Sequence, residues 1–296
     1  MKKNMRIVIG AAVTAALVLA STPAFASPRS LPAGESLYAF GCDGNGEPAV
    51  GLVDVATGAV TEVVPQIDSN QCFSSPAYNP VDNKIYVIDW TNDYELAVFD
   101  TQAMTLTTIA DFSCNPYTLA IDLSGNAWVW SWDTGELTPV SLTTAACGTS
   151  VGSGGATFYA MAFSPNGTLY GASYDTGELG TISTVDGTFA QAGSSAMDAG
   201  DNAGLTFDSS GIAWVIDESN TSEIYSADIT NYSGTDELSG QLTFNGVEYY
   251  SEAIVVGPSA GLAETGIDSV ALGVTGLASL GALAVGAVMM VRRRAS

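Results

Sequence analysis

Four short motifs in this 296-residue chain set a carboxylate beside an aromatic ring or a second acid: Asp89-Trp90, Trp132-Asp133, Tyr174-Asp175 and Asp217-Glu218. Aromatic rings next to carboxylates suit sugars, because the ring covers the apolar face of a pyranose while the carboxylate accepts from its hydroxyls. The aspartates also have a local use: Asp133 and Asp175 open Asp-Thr-Gly turns, where the side chain bonds its own backbone. Asp201 and Glu252 each stand just before an apolar segment. A carboxylate pair at such positions is what glycoside hydrolysis would need. The chain contains no histidine, which removes Ser-His-Asp and Cys-His catalysis, His-ligated zinc and the usual near-neutral general base. Any enzyme here works with carboxylates.

Charge narrows the classes further. Between residues 27 and 265 the only basic residues are Arg29 and Lys84, against 30 of the 31 acidic residues, a net charge of −28. Phosphate contacts need a basic footprint, so nucleic-acid binding is excluded. An acidic surface keeps a protein soluble, repels polyanions and attracts cations such as Ca²⁺. Charge alone defines no metal site, and none is assigned. A pilin-like role stapled by isopeptide bonds also fails on composition, since Lys84 is the one lysine in this stretch.

The elements that must position these residues recur with a fixed period. An apolar strand ending in a turn appears around Tyr78, Ile121, Phe163, Phe207 and Val255, at steps of 43, 42, 44 and 48 residues. An apolar-aromatic-apolar strand follows in register as Leu37-Tyr38-Ala39, Ile85-Tyr86-Val87, Ala127-Trp128-Val129, Leu169-Tyr170-Gly171 and Ala213-Trp214-Val215. Hairpin-turn residues separate the two, as in Pro165-Asn166-Gly167 and Ser209-Ser210-Gly211. The pentapeptide Asp-Thr-Gly-Glu-Leu occurs at 133–137 and again at 175–179, one period later. Four short strands per repeat of this length are the signature of a β-propeller blade. A β-sandwich has no reason to repeat so regularly.

Residues 36–256 therefore read as an all-β, five-bladed propeller and resemble the broad NHL/WD-type propeller superfamily, whose generic motifs bring no catalytic residue with them. The first copy lacks its innermost strand and the last copy is only that strand, at 253–256. Their pairing closes the ring and removes both open edges. In such a blade, the lead into the innermost strand and the turn after the second strand share one face, which collects the aromatic-carboxylate motifs. Cys42 and Cys72 fall on that face in neighbouring blades, so the expected disulfides are Cys42–Cys72 and Cys114–Cys147. Asp201 and Glu252 precede innermost strands of adjacent blades, beside a channel mouth whose other residues at that level are Cys72, Cys114 and Thr157.

The two ends address the protein. Lys2, Lys3 and Arg6, an apolar run from Ile7 to Ala20, and Ala24-Phe25-Ala26 form a secretory signal over residues 1–26. A lead of 27–35 and a linker of 257–261 flank the propeller. Residues 262–296 hold Leu262-Ala263-Glu264-Thr265-Gly266, an uncharged run long enough to cross a bilayer as a helix at 269–291, and Arg292-Arg293-Arg294. This order resembles the sorting signal of LPxTG-type surface proteins, in the LAxTG variant associated with class E sortases of high-GC Gram-positive bacteria. The resemblance implies cleavage after Thr265 by a sortase and transfer of its carbonyl to a peptidoglycan amine. Ala263 in place of the commoner Pro is the departure, and it bears on which sortase acts. The expectation is a wall-anchored surface binding or adhesion module with a carbohydrate or protein ligand; the alternative is a carboxylate-dependent glycoside hydrolase using Asp201 and Glu252.

Overall fold

The structure is a computed structural model that describes residues 29–42, 47–66, 72–91, 94–153, 155–173, 179–192, 202–217, 222–229 and 237–259, with the backbone alone at 202, 203, 217, 228, 237–239 and 252. The secretory signal, the Leu262–Gly266 motif and the 269–291 span lie outside these residues. Among the described residues no helix is long and apolar enough to cross a membrane.

Among the described residues every regular element is a strand, built from the β-branched and aromatic runs that fit a pleated, half-buried surface. The first blade contributes β1 (Glu35–Gly41), β2 (Val50–Val53) and β3 (Ala59–Val64). The second is β4 (Phe73–Asn79), β5 (Lys84–Asp89), β6 (Glu95–Asp100) and β7 (Thr105–Asp111). The third has three ladder strands, β8 (Pro116–Ile121), β9 (Ala127–Ser131) and β10 (Glu136–Val140). The fourth is β11 (Phe158–Phe163), β12 (Leu169–Ser173), β13 (Leu179–Ile182) and β14 (Phe189–Gln191). The fifth is β15 (Asn202–Phe207), β16 (Ile212–Asp217), β17 (Glu223–Asp228) and β18 (Glu237–Gln241). Three strands follow: β19 (Thr243–Phe244), β20 (Val247–Glu248) and β21 (Ser251–Pro258).

Ring closure is as the repeat phase requires. β21 pairs antiparallel with β1, setting Val255 opposite Tyr38 and Pro258 opposite Glu35. It thereby becomes the innermost strand of the first blade, and β21, β4, β8, β11 and β15 contact one another in a closed cycle. Five apolar layers fill the five gaps between blades. Tyr38, Phe40, Phe73, Phe99 and Val255 pack between the first and second, with Tyr38 and Phe99 edge to face at 5.6 Å. Ile88, Leu119 and Val129 fill the next gap, Trp130 and Phe158 the third, Leu205 and Phe207 the fourth, and Trp214, Leu37 and Ile254 the last. Burying each such side chain is worth about 1.5–3 kcal/mol.

Two features were not visible in the repeat. In the third blade no fourth strand forms among the described residues. Isolated bridges from Leu137 to Gly152 and from Val140 to Cys147 stand in its place. In the first blade, β19 adds in parallel to the outer edge of β3, and β20 folds back on β19, extending that sheet to six strands. This hairpin covers an edge that would otherwise offer unpaired backbone groups. Tyr249, fully buried just after it, donates its hydroxyl to the Pro48 carbonyl at 3.0 Å and fastens the end of the fifth repeat to the first blade.

Both expected disulfides are present. Cys42–Cys72 ties the exit of β1 to the entry of β4 across two blades, and Cys114–Cys147 ties the entry of β8 to the irregular outer segment of its own blade.

Candidate aromatic binding face

The predicted turns between first and second strands form with the left-handed residues in place: Asn83, Gly125, Gly167 and Gly211 all have positive φ. These turns lie at one end of the ring. Asp89-Trp90, Trp132-Asp133 and the backbone of Asp217 lie at the other, where innermost strands begin and second strands end. Ser131, the last residue of β9, pairs with Pro116, the first of β8; Asp89, the last of β5, pairs with Phe73, the first of β4.

That register brings both Trp90 and Trp132 against one ring, Tyr117. The Trp90 centroid lies 5.1 Å from that of Tyr117, and Trp132 lies 4.7 Å away on a tilted approach. Tyr159, the equivalent residue of the next blade, is 5.3 Å from Tyr117, and Tyr94 meets Trp90 edge to face at 5.8 Å. Five rings from three blades thus form one continuous surface. Trp132 is its most open member at 47% exposure. Tyr117 and Tyr159 are not among the motifs singled out above, yet both are second residues of innermost strands and stand 42 residues apart, the local period. The repeat itself carried that signal.

Polar groups border the rings. Asn115 donates its amide to an Asp133 carboxylate oxygen at 2.8 Å, which sets that carboxylate beside Trp132. The other side of the Asn115 amide, its Oδ1, is buried and has no hydrogen-bond partner, and the same is true of the Trp90 indole Nε1. Asp89 is buried and accepts from the Thr91 backbone N–H at 2.9 Å, so its role is to hold the turn that carries Trp90. Burial first, then the charges of Asp89 and Asp111, hold Glu95 above the usual carboxylate range. Asp217 ends β16 at the same end of the ring. Tyr174, Asp175, Glu218 and Asp201 lie outside the described residues, as does the side chain of Glu252, whose backbone is the second residue of β21. Among the described residues no group of three or more Cys, Asp or Glu is arranged to hold a metal ion.

The opposite mouth of the channel is a different environment. A cavity of about 200 Å³ opens there, walled by the ends of the four innermost strands β4, β8, β11 and β15, with Tyr78, Ile121, Phe163 and Phe207 on its sides. Glu35 stands at its rim and accepts from the Ser209 N–H at 3.1 Å.

No protein-family model matches the chain, and no curated protein does either. Solved structures do resemble it. A chain of the nidogen/laminin complex superposes with a TM-score of 0.54 at 13% identity, covering 76% of this chain and 99% of that one. TolB from Acinetobacter baumannii aligns at a TM-score of 0.47 and 15% identity, over 70% of this chain and 54% of that one. Regucalcin from Agrobacterium tumefaciens, described as a calcium-binding protein, aligns at 0.45 and 11%, over 75% and 77%. At these identities the likeness concerns the fold alone, and the fold is a five-bladed β-propeller closed by its own last strand.

Proposed function

We propose that this protein is an exported binding module, held at the cell wall through Leu262–Gly266 by a class E-like sortase, that takes carbohydrate on the aromatic face. The observation that carries the ligand class is the cluster of Trp90, Tyr94, Tyr117, Trp132 and Tyr159, with Asn115 and Asp133 at its border. Flat rings with one exposed indole offer stacking area to the C–H face of a sugar, and the adjoining amide and carboxylate suit its hydroxyls. An acidic surface with a single lysine favours neutral or cationic glycans over polyanionic ones. Two disulfides fit an oxidising extracellular compartment.

The test is a glycan-array experiment with residues 27–261, which contain every strand of the closed ring, followed by titration of the best binder. Trp132→Ala is expected to weaken binding about tenfold, the equivalent of about 1.4 kcal/mol, with the domain still folded because Trp132 stands at the surface, half exposed. Equal affinity in the variant would remove the aromatic face as the site. Anchoring is read separately: muramidase should release the wild-type chain from cells, and Thr265→Ala should shift it to the detergent-extracted fraction.

A further inference from the structure

We infer that the aromatic face points away from the wall and meets ligands arriving from outside the cell, because the chain leaves the ring at the opposite end. This rests on the anchoring proposed above. All five innermost strands run from the aromatic end to the cavity end. Tyr117 and Tyr159 are the second residues of β8 and β11, whereas Tyr78, Ile121 and Phe207, at or near the ends of β4, β8 and β15, line the cavity. β21 runs the same way, from Ser251 to Pro258, and Pro258 pairs with Glu35 at the cavity rim.

The exit is held firmly. Tyr38 donates its hydroxyl to the Pro258 carbonyl at 2.8 Å, and the Ser259 N–H donates to the Gly34 carbonyl at 2.9 Å. Because β21 is an innermost strand, the chain departs beside the ring axis and not at its circumference.

Distances then decide what the aromatic face can reach. Thr265 lies six residues beyond Ser259 in the sequence, and six extended residues span at most about 22 Å. A path from the axis to the aromatic face must cross a blade, about 14 Å for three strand spacings, and then climb the ring, about 25 Å for a strand of the length of β21. Those lengths exceed the tether nearly twofold, so the point of attachment at Thr265 stays out of reach of the aromatic rings. The partner class is a glycan on a soluble polymer or on another surface.

Accessibility on intact cells tests this. Thr134→Cys, exposed beside Trp132, and Leu123→Cys, exposed at the cavity rim, are displayed in the full-length chain and treated with maleimide-coupled streptavidin. Labelling of Thr134→Cys is expected to be at least tenfold faster on cells, and the two should react alike once muramidase has released the protein. Equal rates on cells, or a faster reaction at residue 123, would overturn the orientation while leaving anchoring intact. If detergent and not muramidase releases the wild-type chain, anchoring fails and the orientation falls with it.

Discussion

At the turn after each innermost strand, one aspartate does two jobs in the second and fifth blades. Asp208 accepts backbone N–H groups of Ser210 and Ile212 with one oxygen and the buried Trp214 Nε1 with the other, at 3.1 Å. Asp82 likewise accepts the Tyr86 hydroxyl at 2.7 Å. Asp122 and Trp128 have the same spacing as Asp208 and Trp214, but the outcome differs. The Asn126 amide donates to the second oxygen of Asp122 at 2.8 Å, and the Trp128 Nε1 is left buried without a partner. The fifth blade has Ile212 where the third has Asn126. Asn126→Ile should therefore free Asp122 for the indole, since the backbone N–H bond of residue 126 to Asp122 stays available. Satisfying a buried donor is worth about 1 kcal/mol, so we expect a comparable rise in unfolding free energy by chemical denaturation. A fall would show that the amide contributes more than the indole bond can replace.

At the scale of the element, β21 carries the most. It lies between β1 and the innermost strands of both neighbouring blades, and Val255 is buried at its centre. Val255→Pro removes a backbone N–H from the middle of a strand paired with β1, a position that proline does not occupy in sheets. We expect the entire domain to unfold in one step, seen as loss of the β signal in circular dichroism; a folded monomeric variant would refute closure as the basis of stability. The strand was legible in the sequence because its apolar run kept the phase of four earlier copies. Trp90 and Trp132 were legible too, through their neighbouring acids, whereas Tyr117 and Tyr159 sit inside apolar strands and read as core. The β19–β20 hairpin was not: two-residue strands are too short to show a period of two. Nor was the missing strand of the third blade, where residues 141–157 are Ser-, Thr- and Gly-rich and alternate nowhere, while Cys147 fixes the segment covalently instead.

The whole molecule is acidic, and its buried tyrosines set a limit on the alkaline side. Burial pushes Tyr38 to about 12, and burial with a hydrogen bond to Asp82 does the same for Tyr86. Burial holds Tyr249 well above its ordinary value of 10. In the unfolded chain each of these hydroxyls ionises near 10. Their protons are thus retained by the folded state and lost on unfolding, so stability is full below pH 10 and declines as pH rises from 10 towards 12. Thermal melts across that window should show a falling midpoint. Replacing Tyr38 and Tyr86 with Phe should flatten the decline, and an unchanged slope would place the cause in Tyr249 or in general charge repulsion.

Closure by the last strand also imposes an order in time. Tyr38 and its acceptor, the Pro258 carbonyl, are 220 residues apart in the chain, so β1 exists for the whole of synthesis without the partner that completes its blade. At about 5–20 residues per second that interval is about 10–45 s. The ring stays open until that final strand arrives, and the Cys42–Cys72 crosslink forms only in the oxidising compartment to which the proposed export delivers the chain. Conditions that lengthen the interval should leave the free side of β1 available to strands of other copies, so that faulty production appears as strand-exchanged oligomers before it appears as loss of blade structure.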